Sequence, residues 1–338
     1  MRELVKRKEA LMKGNIFKIG LLALVLTLTV AGLSSAQDRY PSKPINYVVG
    51  FPPGGIMDNQ ARAITPVLSK ELGVPVVVVN KPGAMGVVGV NFIAGSKPDG
   101  YTIMSAGLLG VITAPYTYDV TWKPEDLTFI MGHSIYNQGI IVRPDAPWKT
   151  FKDWMEYVRK NPGFKYGTSG YLSYMHLLIE WIAKKEGLKV VHLPYAGVTG
   201  IPALLGGHID LYAMSGGHMP YVTAGKLRLF LQMSGNPADH PGVEHVTQYF
   251  KDPPTVINLP IGIFGPKGMP EPIVRRLSEA LKKATIENPD FKKVNDTMFV
   301  QGEYIPPEEI IRQVKAGYPV FGEILKELNL AVKKEKVK

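Results

Sequence analysis

Short unbroken runs of β-branched and apolar residues recur along this chain, each followed by a glycine turn or a helix-like segment. Residues 45–49, 74–79 and 101–105 read as strands, and residues 59–72 and 87–94 carry helical spacing between them. Strands apolar on both faces are covered on both sides, and strands separated by helices pair in parallel. The alternation resumes with strands at 140–142, 165–167, 190–193, 208–213 and 227–233. Helices are predicted at 151–160, 173–186, 201–205, 271–288 and 307–328. The pattern specifies an α/β fold with parallel, doubly covered sheets. There is no tandem repeat.

Residues 40–55, YPSKPINYVVGFPPGG, end an apolar strand in a turn of two prolines and two glycines, with a helix following from near Asp58. A strand, a glycine turn and a helix N-terminus expose backbone N–H groups where the helix dipole favours an anion. The loop contains no Lys or Arg, so an anion there must be met by N–H groups and dipoles. Gly54, Gly55 and Ile56 are expected to offer them, while Pro52 and Pro53 have none and stiffen the loop. The bland alternative is a tight turn with Asp58 as a helix cap.

The second half repeats this logic at YGTSG and PYAG. Thr168 and Ser169, with Ser173 four residues on, place hydroxyls and a free N–H after a strand, a set suited to a carboxylate. Plain helix capping is the alternative. Open α/β sheets bind ligands at the carboxyl ends of their strands, and two such domains facing each other make a cleft that closes by a hinge.

Other chemistry finds little support. Gly83, Gly86 and Gly89 form GxxGxxG, not a dinucleotide fingerprint, and no phosphate loop occurs. GTSG fails the nucleophile elbow because Tyr171 stands where the last glycine belongs. The seven histidines show no metal-ligand spacing, and His176 reads as a hydrogen-bonded structural residue on a helix. Catalytic residues, metals and cofactors are therefore not expected.

The chain opens with basic residues Arg2, Lys6, Arg7, Lys8, Lys13 and Lys18. An apolar run at 21–33 follows, then Ser34-Ser35-Ala36. This is the layout of a cleaved secretory signal over residues 1–36, with Met12 as an alternative start. The run is shorter than a comfortable membrane span. An uncleaved anchor is the alternative. The mature chain is expected to be soluble and periplasmic. Its formal charge falls from +10 to +6 once the six basic and two acidic residues of 1–36 are removed. Part of what remains is a lysine-rich tail, and no basic stripe interleaved with aromatics indicates nucleic acid. With no cysteine in 338 residues, stability rests on core burial. The length left suits two domains.

Seven ordered segments carry a resemblance: residues 40–55 with Asp58, VPVVVVNKPGAMGVVG from Val74, KPDGYTIM from Lys97, YGTSGYLSYMHL from Tyr166, HLPYAG from His192, LLGGHIDLYA from Leu204 and AGKLRLFLQMS from Ala224. In these the chain resembles the receptor proteins of tripartite tricarboxylate transporters, the Bug family. The resemblance covers essentially the whole mature chain. It implies a type II-like periplasmic binding protein fold, two doubly wound α/β domains with a ligand cleft between them. Domain 1 would hold 37–138 with 234–338, and domain 2 the inserted 139–233. It implies ligand contacts at Phe51, Pro53, Gly54, Gly55, Ile56 and Asp58 in the first domain. In the second they would be Thr168, Ser169, Ser173, Tyr195, Ala196 and Asp210, with Ser105 as a further candidate. Its partners would be a small organic acid and the small and large permease subunits in the membrane, with the receptor a monomer.

Met57, Tyr171, Tyr174 and Met214 are bulkier than the family pattern. Met214 stands where some relatives carry an acid, which disfavours an amino-acid ligand and favours an apolar or aromatic carboxylate. Two other functions compete with transport: an extracytoplasmic ligand-sensing subunit, and a secreted hydrolase, which lacks a nucleophile–base arrangement.

Overall fold

The computed structural model describes Met1 and residues 40–195, 197–233, 240–251, 260–298, 300–330 and 335–336. The proposed signal at 1–36 lies outside the described residues apart from Met1. Residues 1–42 cluster as one unit and 43–338 as a second, and the second carries the fold described below.

The chain runs β1 (Ile45–Val49), α1 (Ile56–Leu72), β2 (Val76–Asn80), α2 (Val87–Ala94), β3 (Thr102–Gly107) and α3 (Leu108–Thr117). A short β4 (Tyr118–Asp119) precedes the long β5 (Leu127–Tyr136). Next come β6 (Gln138–Val142), α4 (Phe151–Lys160), β7 (Phe164–Thr168), α5 (Tyr174–Glu186), β8 (Val190–Pro194), α6 (Ile201–Leu205), β9 (Leu211–Ser215), α7 (Met219–Thr223), β10 (Arg228–Gln232) and β11 (Glu244–His245). The chain finishes with β12 (Ile261–Pro266), α8 (Glu271–Thr285), α9 (Pro289–Met298), β13 (Val300–Ile305), α10 (Pro307–Glu327) and β14 (Glu335–Lys336), which pairs with β4.

Local chemistry sets the ends of these elements. In α1, Met57, Ala61, Ile64, Leu68 and Leu72 form one buried stripe at helical spacing, and Gly73 ends the helix in the left-handed conformation at φ 73°. In α4, Thr150 accepts from Asp153 N–H at 3.1 Å while Thr150 N–H donates to Asp153 Oδ2 at 2.9 Å, a reciprocal capping box. Ser173 caps α5 by accepting from His176 N–H at 3.3 Å.

Two six-stranded sheets result, ordered β13-β5-β12-β3-β1-β2 and β11-β10-β6-β9-β7-β8. The parallel expectation holds for β1 with β2 and β3, and for β7 with β8 and β9. It fails where β12 runs antiparallel to β3 and β5, and where β6 runs antiparallel to β9 and β10. The reason is the path of the chain. β5 leaves the first sheet at the end where β1 and β3 finish, and β6 and β12 each enter their sheets from that end, so both oppose their neighbours.

Each half has its own apolar core. Val48, Met104, Phe129 and Phe264 pack in the first, and Trp154, Tyr166, Leu178 and Phe230 in the second. Leu177 of α5 packs into the first core, and Leu109 of α3 touches both. This seam helps explain why 43–338 cluster as one unit.

Candidate functional site

In the first sheet β1 lies between β2 and β3, and in the second β7 lies between β8 and β9. Winding therefore reverses at β1 in one half and at β7 in the other. Ligands of open α/β sheets bind beyond the carboxyl ends of the strands at such a reversal. Residues 50–55 occupy that place in the first half, and residues 168–173 in the second.

The first loop is held from beneath by Asp58. Its carboxylate accepts from Gly54 N–H at 2.9 Å, from Asn80 Nδ2 at 2.9 Å, and from Arg62 at 2.8 and 3.1 Å. Asn80 also donates to Phe51 O at 3.0 Å. Burial alone would raise the Asp58 pKa, but the hydrogen bonds from Arg62, Gly54 and Asn80 outweigh it and hold the carboxyl at about 2. Two expectations change here. Asp58 is a clamp with its oxygens engaged, and the Gly54 N–H is committed to it. Gly54 stands at φ 86°, which glycine alone adopts cheaply. The first intrahelical bond is Asn59 N–H to Gly55 O. Gly55, Ile56 and Met57 therefore present N–H groups without an intrahelical partner at the positive end of α1. Pro52, Pro53, Gly54 and Gly55 are exposed, and Phe51 and Ile56 are half-buried.

In the second loop, Thr168 is buried and spends its hydroxyl proton on Gly170 O at 2.8 Å. His192 Nε2, also 2.8 Å away, must then donate to it. Ser173 is committed as the α5 cap. Ser169 differs. Its N–H donates to Ala213 O at 3.3 Å, but its hydroxyl meets no partner among the described residues. Of the three hydroxyls expected to bind, Ser169 is the one left available. Tyr195 lies beside this loop, its N–H donating to Thr168 O at 3.0 Å. Ala196 lies outside the described residues.

Behind the loop, the His176 and His192 rings stack with centroids 4.0 Å apart. His176 Nδ1 accepts from the N–H of Leu172, a residue at φ 57°. Burial lowers His176 to about 3 and His192 to about 4, so both rings are neutral.

Two expected residues fall elsewhere. Asp210 precedes β9, donates its N–H to Lys165 O and faces Arg143 at 3.6 Å. It lies at the amino-terminal end of the strand, three residues below the Ala213 that pairs with Thr168, roughly 10 Å from the start of the second loop at 3.3 Å per residue. Ser105 is buried, with its Oγ 3.0 Å from His133 Nε2. β3 continues to Gly107, so Ser105 sits inside the strand and not at its end. Three of the bulky residues are also core residues: Met57 is buried on α1, Met214 is buried on β9, and Tyr174 is buried with its hydroxyl donating to Met233 O at 2.9 Å.

The structure adds residues 215–218, the SGGH turn after β9, where Gly216 has φ 60° and Gly217 φ 65°. A methyl group placed on Gly216 would lie 2.7 Å from Met298 O and 3.0 Å from Ile56 Cδ1, both in the first half. Gly216 N–H donates to the carbonyl of Asn137, the residue between β5 and β6. The turn belongs to the same strand–glycine pattern, but ending the predicted strand at Ala213 hid it. Gly216→Ala should push the halves apart and weaken ligand binding by about tenfold or more, roughly 1.4 kcal/mol per decade. Calorimetry together with circular dichroism tests this, and unchanged affinity in a folded variant refutes it.

The loops at 50–55, 168–173 and 215–218 contain no lysine or arginine. Helix N-termini and one hydroxyl are thus the groups offered to an anion. The family model of the tripartite tricarboxylate transporter family receptor matches residues 60–330. The UPF0065 protein in the gbd 5′ region of Cupriavidus necator is 35% identical over 291 residues, covering 82% of this chain and 86% of the relative. Among solved structures, a periplasmic transporter is 32% identical with a TM-score of 0.70, covering 86% of this chain and 98% of that one. The periplasmic binding protein BugD is 28% identical with a TM-score of 0.69, covering 88% and 100%. Two more distant proteins share the fold, a Rhodopseudomonas palustris protein with adipate and MatC with malate. They are 21% and 20% identical, with TM-scores of 0.69 and 0.67, and cover 86% and 85% of this chain and 98% and 100% of their own. The fold is that of solute-binding receptors, and the chain belongs to the tripartite tricarboxylate transporter receptor family.

Proposed function

We propose that this protein captures a small organic carboxylate in the periplasm, after export by its N-terminal signal, and delivers it to a tripartite tricarboxylate-type permease of one small and one large membrane subunit. It works as a monomer of two domains. Residues 37–138 and the C-terminal part form one domain, and the inserted middle forms the other. Because β11 pairs with β10, the middle domain extends beyond 233 to include Glu244–His245.

One observation carries this reading: equivalent strand ends of the two sheets each present a helix N-terminus, and the loops there lack a basic side chain. Such a site meets a carboxylate with N–H groups and a hydroxyl. Two helix ends match one or two carboxylates better than three. The neighbours that hold adipate and malate are consistent with this class.

A thermal-shift screen against mono-, di- and tricarboxylates and amino acids tests the reading. A ligand at 100 times its Kd stabilises the folded state by about 2.7 kcal/mol. For an acid that binds, Ser169→Ala should cost about 1–3 kcal/mol of affinity, the range for leaving a buried polar partner unpaired. A flat response across the panel by ligand-free protein rejects carboxylate capture.

A further inference from the structure

The turn after β2 keeps a costly backbone. Gly83, Ala84, Met85 and Gly86 are consecutive residues with positive φ, at 137°, 47°, 55° and 94°. Two of them are not glycine, and a left-handed methionine is uphill because its Cβ crowds the backbone. Such geometry persists only where the surroundings hold it, and it concentrates at ligand sites. Here the first loop and α3 hold it. A methyl group placed on Gly50 would lie 2.8 Å from Gly86 Cα, and one on Gly110 would lie 3.4 Å from Met85 O.

The Met85 side chain reaches the other half of the molecule. It is 47% exposed. Its Sδ and Cε nevertheless lie 3.3 and 3.5 Å from where a Cβ on Gly170 would be. Gly170 sits in the second loop, next to the available hydroxyl of Ser169. A bare glycine there lets the thioether rest on the loop backbone, and methionine is unbranched and polarizable enough to adapt to what lies beneath it.

We infer that Met85 is a specificity-determining residue of the acid site: it bridges the first and second loops and bounds the space left for the apolar body of the ligand. The inference rests on the carboxylate reading above. An acid whose carboxylate is held at one helix N-terminus extends its body toward the opposite loop, where the Met85 side chain, carried by a turn whose Gly86 packs on the first loop at Gly50, rests at Gly170. A shorter residue there admits bulkier acids.

The test is calorimetric titration of wild type, Met85→Ala and Met85→Gly with acetate, butyrate, benzoate and 2-naphthoate. Met85→Gly also relieves the left-handed strain, so its unfolding midpoint should not fall, which separates loss of fold from change of specificity. The affinity ratio of 2-naphthoate to butyrate should rise about tenfold in both variants, the scale on which pocket size discriminates. A rise under roughly threefold, with wild type binding acids, overturns the role of Met85 and leaves the carboxylate reading standing. Failure of folded wild type to bind any acid in this series and in the wider panel overturns both.

Discussion

Stability should fall steeply as the pH drops from about 6.5 to 4, a decline that begins well above the range where ordinary carboxylates titrate out. Burial lowers His133 and His176 to about 3, and His192 and His218 to about 4. In the unfolded chain each returns to about 6.5. Between those values the unfolded chain takes up protons that the folded protein refuses. Each histidine then costs up to about 1.4 kcal/mol per pH unit, less for the partly exposed His192. Glu180 works the other way. Burial raises its pKa against the lowering effect of its hydrogen bond from Tyr166, so the folded state gains from protonating it. One such group offsets only part of four. Urea midpoints at pH 7, 6, 5 and 4.5 measure the effect, and a constant midpoint refutes it. His133→Asn should flatten part of the slope. Ligand affinity of the protein that remains folded should hold through the same range, because His176 stays neutral down to about pH 3 and keeps accepting from Leu172 N–H.

Asp58→Ala should destabilise the protein by about 2–3 kcal/mol, the value of a carboxylate held near pH 2 against about 3.9 unfolded. Asp58 itself is 1% exposed, but the Arg62 side chain is 55% exposed, so solvent screening of the pair brings the expected loss toward the lower end of this range. The change strands Asn80 and the Gly54 N–H, and it releases a turn held at positive φ. Ligand affinity should fall with stability, since the loop that shapes the α1 N-terminus loses its clamp. Asp58→Asn keeps an acceptor oxygen and should lose less. The Asp58 contribution is present above about pH 4 and disappears toward pH 2, below the histidine window, so the two effects can be told apart in one titration. An Asp58→Ala midpoint equal to that of wild type would remove the clamp from the account.

Much of the fold was legible because local signals agreed. The bounds read for α4, α2 and α6 match the structure to the residue; the Thr150–Asp153 box closes the start of α4, and glycines flank α2 and α6. β5 was missed because LTFIMGHSIY is buried through most of its length and shows no alternation, with Gly132 and His133 interrupting its apolar run. α3 was missed because GLLGVITAPYT is apolar all round and contains Pro115. At the site, PPGG and TSG announce exposed backbone directly. The clamp under PPGG is tertiary: it needs Asn80, 22 positions from Asp58. Ser105 was expected at the end of a strand read as 101–105, but β3 runs two residues further and leaves it inside; Asp210 came from the family resemblance, and the structure puts it just before β9.

β5 stops at Tyr136 and β6 starts at Gln138, so Asn137 alone joins the sheets on that path. One residue provides almost no slack, and opening of the halves must be a rotation pivoting close to Asn137. Its carbonyl receives Gly216 N–H, so the pivot lies against the innermost contact between the halves. Points near a pivot sweep short arcs and distant ones sweep long arcs. An acid would therefore seat its inner end on contacts that change little with opening, while the Met85–Gly170 contact, which joins the turn after β2 to the loop after β7 and so lies strands away from β5 and β6, moves more. On the proposed reading, retention time would then be governed by the contacts that move most, separately from the N–H groups offered to the charge.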